Sequence, residues 1–339
     1  MTRRFLAAAI IVIVAAVLLI AVWPQLFGLE RQLGVAQVVS LRGLAALIAG
    51  VGVVAFLLIA LISRRMRRLA ATIALLLLAF AGVSAAVLAT RGATPPGFQS
   101  KAAADLTVLS WNTLGDAPGA AEIAKLALAQ HADIVALPET SVATADAVRD
   151  LMGQAGSPMQ ELHVSFDQVA KAHTTSLLIS TALGSYRRDD SLGSTKTLPS
   201  VVAVPVDGDG PTIVAAHPVA PVPGEMANWR QGLDWLSQRC AGDTIMAGDF
   251  NSTLDHYAGL TATTTTGQGD LGACHDGARA EGSAGVGTWP AALPAQLGAP
   301  IDHVMATDGW TFVGFRVIGS EDGAGSDHRP IVAQLRPAR

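Results

Sequence analysis

Three long apolar runs at the start of the chain constrain its fold more than any other feature. They cover residues 5–22, 43–62 and 69–89 and consist almost entirely of Ala, Val, Leu and Ile. Each run has close to the ~20 residues that an α-helix needs to cross a bilayer. The chain is 50% hydrophobic and only 15% charged, whereas an ordinary soluble domain is about a quarter charged. We therefore predict that residues 1–92 form a membrane domain with three transmembrane helices.

The first apolar run could instead belong to a secretory signal peptide, because Arg3 and Arg4 precede it. However, no small-x-small cleavage site lies before Trp23 and Pro24, and two further apolar runs follow. We therefore favour a spanning helix that is retained in the mature protein.

Basic residues in the short loops predict the orientation of these helices. Two Arg precede the first span, and four more separate the second and third spans: Arg3, Arg4, Arg64, Arg65, Arg67 and Arg68. By the positive-inside rule these ends are cytoplasmic, so the chain after Ala89 is extracytoplasmic. Arg31 and Arg42 do not fit this orientation, because it places both basic residues in or next to the outer loop. We interpret Arg42 as a side chain that snorkels to the outer interface, and not as a buried functional charge.

The charge of the chain is divided unevenly between its two parts. Of 23 basic and 27 acidic residues, residues 1–92 hold nine Arg and one acid, Glu30. The remainder therefore holds 14 basic and 26 acidic residues, a net charge of about −12. An acidic surface repels a polyphosphate backbone, so nucleic acid is a disfavoured partner, although a local basic groove would permit it.

Two cysteines, Cys240 and Cys274, lie in the part that we place outside. An oxidising compartment permits a disulfide between them, but the sequence does not show that they are close. Pairing and two free thiols both remain open at this point.

The rest of the chain predicts a short linker and one further domain. Residues 93–104 are rich in Pro and Gly and form the linker, and residues 105–339 alternate apolar β-branched runs with helical patterns, as in α/β folds. Helices are expected at 120–129, 142–152 and 226–239. Strands are expected at 106–110, 133–137, 161–166, 176–180, 201–206, 212–216, 244–247, 301–306, 312–318 and 331–335.

Polar residues follow or precede many of these predicted strands. They are Asn112, Glu139, His217, Asp249 with Asn251, Asp302, and Asp327 with His328. A set rich in carboxylates, with Asn and His but no Cys, suits a hard cation bound through oxygen, such as Mg²⁺, with Mn²⁺ as the alternative. Carboxylates and imidazoles can then transfer protons next to a phosphoryl group.

In order and in their neighbours, these segments resemble the endonuclease/exonuclease/phosphatase superfamily, which includes DNase I-like nucleases, inositol polyphosphate 5-phosphatases and bacterial sphingomyelinases. The matching segments are Leu109-Ser-Trp-Asn-Thr, Ala136-Leu-Pro-Glu-Thr, Ala216-His-Pro, Gly248-Asp-Phe-Asn, Ile301-Asp-His and Ser326-Asp-His-Arg-Pro. The resemblance implies a four-layered α/β sandwich over residues 105–339, with the site at one rim of two packed sheets. It does not extend to residues 1–100.

The resemblance also implies a metal site. Glu139 would be the principal metal ligand, with Asn112 beside it and Asp327 completing or supporting the shell.

The same resemblance implies the catalytic roles. Asp249 would orient or deprotonate the attacking water, and Asn251 would bind that water or the phosphoryl oxygens. His328, oriented by Asp302, would handle the proton or bind phosphate, and His217 would stabilise the pentacovalent transition state. Whether Asp249 or His328 is the base stays open.

Several other residues near these segments have less certain roles. Trp289 could line the pocket or pack in the core, and residues 174–181 only loosely fit the substrate-side segment of the superfamily. His303 should face away from the site if Asp302 faces it, because side chains alternate along a strand. The remaining histidines, at 131, 163, 173, 256 and 275, are expected to be surface or structural residues.

Taken together, these features favour a membrane-anchored, Mg²⁺-dependent phosphoesterase acting on the extracytoplasmic side on a phosphate mono- or diester. The acidic domain and the membrane anchor favour a lipid head group or a lipid-linked phosphate as the substrate. Two alternatives remain: an extracellular DNase I-like nuclease, and a catalytically inactive membrane interaction protein. The sequence does not predict the oligomeric state.

Overall fold

The structure, a computed structural model, describes residues 2–93, 97–167 and 169–338, with the backbone alone at residues 2 and 3. Part of the expected linker, the side chain of Arg3 and the last residue of the chain lie outside the described residues. The boundaries proposed for the two domains remain predictions.

The N-terminal part consists of four helices: α1 (Thr2–Val22), α2 (Val35–Ser40), α3 (Arg42–Ile62) and α4 (Arg67–Arg91). Helices α1, α3 and α4 are long and apolar enough to cross a membrane. They contain the three predicted runs, so the prediction of three apolar helices that are candidate membrane spans is confirmed.

Among the residues described after α4, the strands form two six-stranded sheets. The first sheet has the strand order β11-β12-β1-β2-β4-β3 and the second the order β5-β6-β7-β8-β10-β9. The strands are β1 (Leu106–Ser110), β2 (Ile134–Pro138), β3 (Met159–Ser165), β4 (Thr174–Ser180), β5 (Tyr186–Arg188), β6 (Val201–Pro205), β7 (Thr212–Ala216), β8 (Thr244–Asp249), β9 (His275–Asp276), β10 (Asp302–Ala306), β11 (Trp310–Val317) and β12 (Ile331–Pro337). The helices are α5 (Gly119–Ala129), α6 (Val142–Gln154), α7 (Met226–Arg239) and α8 (Gly277–Ala280).

Alternation of side chains along the strands builds four layers. Val108 and Ile134 point into the core between the two sheets, whereas Leu109 and Val135 pack against α5 and α6. The outer face of the second sheet packs against α7 in the same way. Strands buried on both faces appear as continuous apolar runs, which is why the sequence predicted them. The predicted four-layered α/β sandwich is confirmed.

Two strands were not predicted, and several ends shift by one or two residues. β5 is a three-residue strand with two exposed side chains, and β9 has only two residues. Such short strands carry too little apolar periodicity to be recognised.

The outer loop, residues 23–41, lies against the second sheet and its helix. Ala36 packs in the same apolar cluster as Trp229 of α7. The Arg31 Nη1 atom donates to the carbonyl oxygens of His256 and Ala258, at 2.9 Å each. The loop is therefore part of the folded unit that contains the second sheet.

The prediction that Arg42 snorkels to the membrane interface is wrong. Its guanidinium is 4% exposed and forms a bidentate pair with Asp255, with Nε to Oδ2 at 2.9 Å and Nη2 to Oδ1 at 2.7 Å. Arg91, at the end of α4, donates to the same Oδ2 at 2.9 Å. Asp255 compensates two cations that would otherwise be costly to bury. The sequence could not reveal a partner 213 residues away.

Glycine allows close backbone contacts at the start of α3 and directly after the end of α4. A Cβ atom at Gly43 would collide with the carbonyl oxygen of Gln296, and one at Gly92 with that of Gly282. The Gly92 oxygen also accepts a hydrogen bond from the Gly285 amide at 2.9 Å. The extracytoplasmic domain that we expect is thus in direct backbone contact with the outer ends of α3 and α4.

Cys240 and Cys274 are joined by a disulfide, with their Cα atoms 5.6 Å apart. The bond links the end of α7 to the segment before β9. It resolves the pairing that the sequence left open.

Candidate active site

One rim of the sandwich collects the polar strand ends. The parallel strands β1 and β2, and likewise β7 and β8, end at this rim. The antiparallel strands β10 and β12 begin there, with Asp302 opposite Asp249 and Ile331 opposite Ser110. All eight site residues predicted from the sequence therefore come from loops or strand ends at the same edge.

Asp249, the last residue of β8, is held by amides. Its Oδ1 accepts from the Asn251 backbone N–H at 2.8 Å, and its Oδ2 accepts from Asn112 Nδ2 at 3.0 Å and from Asn251 Nδ2 at 3.1 Å. Burial raises the pKa of Asp249 to about 6, although the nearby His328 opposes the shift. A carboxylate with such a pKa is suited to accept a proton near neutral pH.

His328 lies between two carboxylates. Its Nδ1 is 2.9 Å from Asp302 Oδ2, and its Nε2 is 3.7 Å from Asp249 Oδ2. Burial alone would lower the pKa of His328, but the carboxylates of Asp302 and Asp249 raise it to about 10. The imidazole is therefore held as a cation, which can attract a phosphate or donate a proton.

Glu139 follows β2 and faces His217. Its Oε1 accepts from Asn112 Nδ2 at 3.0 Å and lies 3.7 Å from His217 Nε2. Burial would raise the pKa of Glu139, but His217 and Asn112 lower it below the usual value. On the other side of the ring, His217 Nδ1 is 3.3 Å from Thr175 Oγ1 of β4.

Asp327 is positioned by Trp289. The Trp289 Nε1 atom donates to Asp327 Oδ2 at 2.8 Å. The indole also lines the cavity above the site. Of the two roles that the sequence allowed for Trp289, the structure supports the one at the pocket.

Two site residues have backbone conformations that are unusual for their type. Glu139 has φ 54° and Asn251 has φ 46°. Left-handed backbone is tolerated by Asn but uncommon for Glu, and such residues cost of order 1–3 kcal/mol each. The surrounding fold holds Glu139 there, since Thr113 Oγ1 donates to its carbonyl oxygen at 2.9 Å.

The donor set fits a hard divalent cation in most respects. Asp327 Oδ1 is buried without a hydrogen-bond partner among the described residues, as is His217 Nε2. Unpartnered buried atoms facing one site indicate a missing partner. Asn112 is the exception, because its Nδ2 faces the carboxylates while its Oδ1 accepts from the Leu114 amide at 3.0 Å. To act as the predicted ligand, Asn112 would have to turn its amide.

A second group of possible ligands consists of Asp249, Asp302 and His328, whose ligand atoms lie within 4.8 Å of one another. The two carboxylates raise the pKa of His328, and a protonated imidazole has no free lone pair for a metal. This group could therefore hold a metal only with His328 deprotonated, and with His328 protonated it is suited to proton transfer.

The other histidines lie outside the site. His303, one residue after Asp302, points to the opposite face of the sheet, where its Nδ1 is 2.7 Å from Asp276 Oδ2. His256 is fully buried and accepts the Thr253 amide at Nδ1, so it is structural. Burial lowers the pKa of His256 to about 4.

Sequence reasoning missed two parts of the site. Thr175 belongs to the loosely matching segment 174–181, which was a usable signal. The outer loop was not identifiable, because nothing in its composition shows that residues 33–41 border the cavity.

Comparisons with known proteins show the family to which the chain belongs. The sequence model of the Endonuclease/Exonuclease/phosphatase family matches residues 109–328, more than half of the chain. No functionally curated protein matches the chain significantly.

Three solved structures illustrate the similarity. D. rerio TDP2 complexed with single strand DNA product is 18% identical over 68% of this chain and 99% of that chain, with a TM-score of 0.51. Humanized D. rerio TDP2 with 14 mutations is 16% identical over 69% and 100%, with a TM-score of 0.51. The endonuclease/exonuclease/phosphatase from Beutenbergia cavernae DSM 12333 is 17% identical over 69% and 72%, with a TM-score of 0.49. The chain belongs to the endonuclease/exonuclease/phosphatase family, whose members are hydrolases acting on phosphoesters.

Proposed function

We propose that this protein is a membrane-anchored, Mg²⁺-dependent phosphoesterase that hydrolyses a phosphate mono- or diester on the extracytoplasmic side. The observation that carries the proposal is the convergence of Glu139, Asp249, Asp327 and His328 on one cavity at the rim of the sandwich. Enzymes of the family generally depend on divalent metal ions. Mn²⁺ is the alternative ion, since the carboxylate donors suit both.

The charged residues would have separate roles in metal binding and proton transfer. Glu139 and Asp327, with Asn112 after its amide turns, would hold the cation. A cation bound there would neutralise negative charge on the phosphoryl oxygens. Asp249, fixed by three hydrogen bonds from amides, accepts the proton of the attacking water.

The two histidines would stabilise the phosphoryl group, and Asn251 would position the base. His328, held as a cation by Asp302, donates to phosphoryl oxygens, and His217 presents an unpartnered Nε2 toward the same space. The Asn251 amide, which bridges Asp249 and the Pro218 carbonyl oxygen, keeps the base aligned.

Two features support the extracytoplasmic side. The segment before α1 and the short loop between α3 and α4 carry the excess of Arg, which favours the cytoplasm for both, and a disulfide joins Cys240 and Cys274. Disulfides persist in oxidising compartments and are rare in the cytosol. Protease added to intact cells should therefore cleave the chain after residue 97, and complete protection would reverse the orientation.

The substrate is proposed to be a lipid head group or a lipid-linked phosphate. The net charge of about −12 outside the membrane part disfavours long nucleic acid. Anchoring to the bilayer also places the site among phosphorylated lipids.

A panel assay tests the activity. The full chain in detergent with Mg²⁺ is given lipid, nucleotide and sugar phosphoesters and plasmid DNA. Glu139→Gln should lower turnover by about 10²-fold or more, because several kcal/mol of transition-state stabilisation depend on the ion. Glu161→Gln is the matched control, since Glu161 also pairs with a histidine, His163, but outside the site.

Other results of the panel assay would contradict the metal mechanism or support one of the two alternative functions. Full activity of Glu139→Gln, or activity that survives EDTA, contradicts the metal mechanism. Plasmid cleavage that exceeds lipid hydrolysis supports the nuclease. The absence of turnover on every phosphoester supports an inactive interaction protein.

A further inference from the structure

The outer loop forms one wall of the active-site cavity. The cavity has a volume of about 710 Å³, and its floor carries Glu139, Asp249 and His328. Across from this floor the outer loop contributes Leu33, Gly34, Gln37, Ser40 and Leu41. A segment that the sequence assigns to the membrane part is thus within reach of the phosphoester site.

The cavity walls are largely apolar. Beyond the catalytic groups they are formed mainly by Leu, Val, Ile, Ala and Pro side chains, including the rim segment, residues 220–223. Three of the large apolar side chains are substantially exposed: Leu33 at 52%, Leu114 at 46% and Val222 at 45%. Among the described residues lining the cavity there is no Lys or Arg. Such walls suit a hydrocarbon chain and do not suit a polyanion.

The cavity also lies next to the N-terminal end of the candidate spanning helix α3. Leu41 lines it and directly precedes Arg42, the first residue of the candidate spanning helix α3. Exposed Trp23, Leu26 and Phe27 lie at the other end of the loop, just after α1. Aromatic and aliphatic side chains in this position are typical of the membrane interface.

The wall is held in place before any ligand binds. Gln37 Nε2 donates to the Pro221 carbonyl oxygen and so ties the outer loop to the rim segment. Gln37 Oε1 accepts from the Gly34 amide at 2.6 Å, which fixes the turn before α2. A wall fixed in this way avoids part of the ordering cost of binding.

We propose that the outer loop is a specificity-determining part of the active site, and that the cavity holds the hydrocarbon chain of a phosphoester still embedded in the outer leaflet. The hydrocarbon lies between Leu33 and Leu41 on one side and the rim segment on the other, and the phosphate reaches the catalytic groups. This inference rests on the proposed phosphoesterase function.

Matched substrates of different chain length test the proposal. The full chain in phosphatidylcholine nanodiscs with Mg²⁺ is given ethyl and hexadecyl phosphate, and the p-nitrophenyl diesters of ethanol and hexadecanol. The readout is the ratio of kcat/KM for the hexadecyl compound to that for the ethyl compound. Leu33→Asp and Val222→Asp should each lower this ratio about tenfold or more, because an acidic side chain opposes burial of the hydrocarbon. Its repulsion of the phosphate affects both substrates and cancels in the ratio.

Two controls match these variants in residue type and lie outside the cavity. Leu151→Asp alters α6 at a residue 37% exposed, and Val206→Asp alters the segment after β6 at a residue 54% exposed. Both should keep the ratio within about twofold of the wild type. A ratio unchanged in Leu33→Asp and Val222→Asp overturns the loop wall and leaves the phosphoesterase function intact. No hydrolysis by the wild type contradicts the proposed function.

A second measurement does not depend on turnover. Hexadecyl phosphate with a diazirine in the part of its chain nearest the phosphate is photo-crosslinked to the full chain in nanodiscs, and labelled peptides are identified by mass spectrometry. Labels in residues 33–41 and 220–223 support the proposal, even for a chain that hydrolyses nothing. Labels confined to α1, α3 and α4 overturn it.

Discussion

Two His–Asp pairs lie on opposite faces of the second sheet, and adjacent residues of β10 contribute to both. Asp302 pairs with His328 at 2.9 Å on the site face, and His303 pairs with Asp276 at 2.7 Å on the other face. Both histidines are buried, and both have raised pKa values, because the carboxylates outweigh the cost of burial.

The pairs differ in what remains unpartnered. His303 Nε2 contacts the Ser252 carbonyl oxygen at 2.9 Å, so both ring nitrogens are satisfied. His328 Nε2 faces Asp249 only at 3.7 Å, and Asp302 Oδ1 is buried without a partner among the described residues. The same chemical pair is structural where its hydrogen bonds are complete and available for chemistry where they are not.

The largest effect should come from replacing His328, which pairs with Asp302 on the site face. His328→Gln keeps the size and polarity of the side chain but not its charge, and should lower kcat by about 10²–10⁴-fold. Turnover of the best substrate from the phosphoester panel is the measurement. His303→Gln, normalised to folded protein, should retain activity near the wild-type value. Equal losses in the two variants would remove the distinction between the faces.

The second effect concerns stability, for which we expect His303 to matter more than His328. His303→Gln leaves the Asp276 carboxylate buried without its cation, which should cost roughly 3–5 kcal/mol of unfolding free energy. Chemical denaturation of the full chain in detergent measures this. The corresponding loss in His328→Gln should be smaller, since the rim is open to the cavity. A more severe loss at His328 would contradict our assignment.

The third effect tests the positioning of Asp327. Trp289→Phe removes the N–H donor to Asp327 Oδ2 and should weaken the apparent affinity for Mg²⁺ about 10–100-fold, as for other partners of metal ligands. Titration of activity against Mg²⁺ measures the change. Trp310→Phe is the control, because Trp310 Nε1 makes the same type of bond to Asp243 at 2.7 Å, away from the site. Equal Mg²⁺ curves for all three proteins would exclude this role.

The smallest effect is a pH dependence of stability. Burial opposes protonation of His303, but Asp276 and the Ser252 carbonyl raise its pKa, with Asp302 adding to the shift. A raised pKa in the folded state stabilises the fold fully below the unfolded value of about 6.5 and loses this contribution as the pH rises through the folded value. The difference in Tm between wild type and His303→Gln should therefore become smaller as the pH is raised above 6. A difference in Tm that grows as the pH rises would mean that folding lowers the pKa of His303.

The sequence was sufficient for the parts that depend on short-range pattern. β1, β2, β7 and β8 are buried on both faces, so their apolar runs were visible, and polar residues at their ends predicted the rim. The face of His303 followed from strand alternation.

The remaining features depend on contacts between distant residues. Nothing local to Arg42 indicates Asp255, and nothing local to Leu33 indicates Glu139. The hydrogen-bonding direction of Asn112 was also unpredictable, because it is set by the Leu114 amide and two carboxylates together.

The contact of Arg42 and Arg91 with Asp255 has a consequence for kinetics. Both helix ends pair with one buried carboxylate, so the two-sheet domain is fixed to α3 and α4 by more than its linker. If these helices span a bilayer, the pairs should hold the site at one height above it. For a substrate that stays in the leaflet, encounters occur by lateral diffusion in two dimensions. The rate should then follow the mole fraction of substrate in the membrane and fall upon surface dilution, even when the bulk concentration is unchanged.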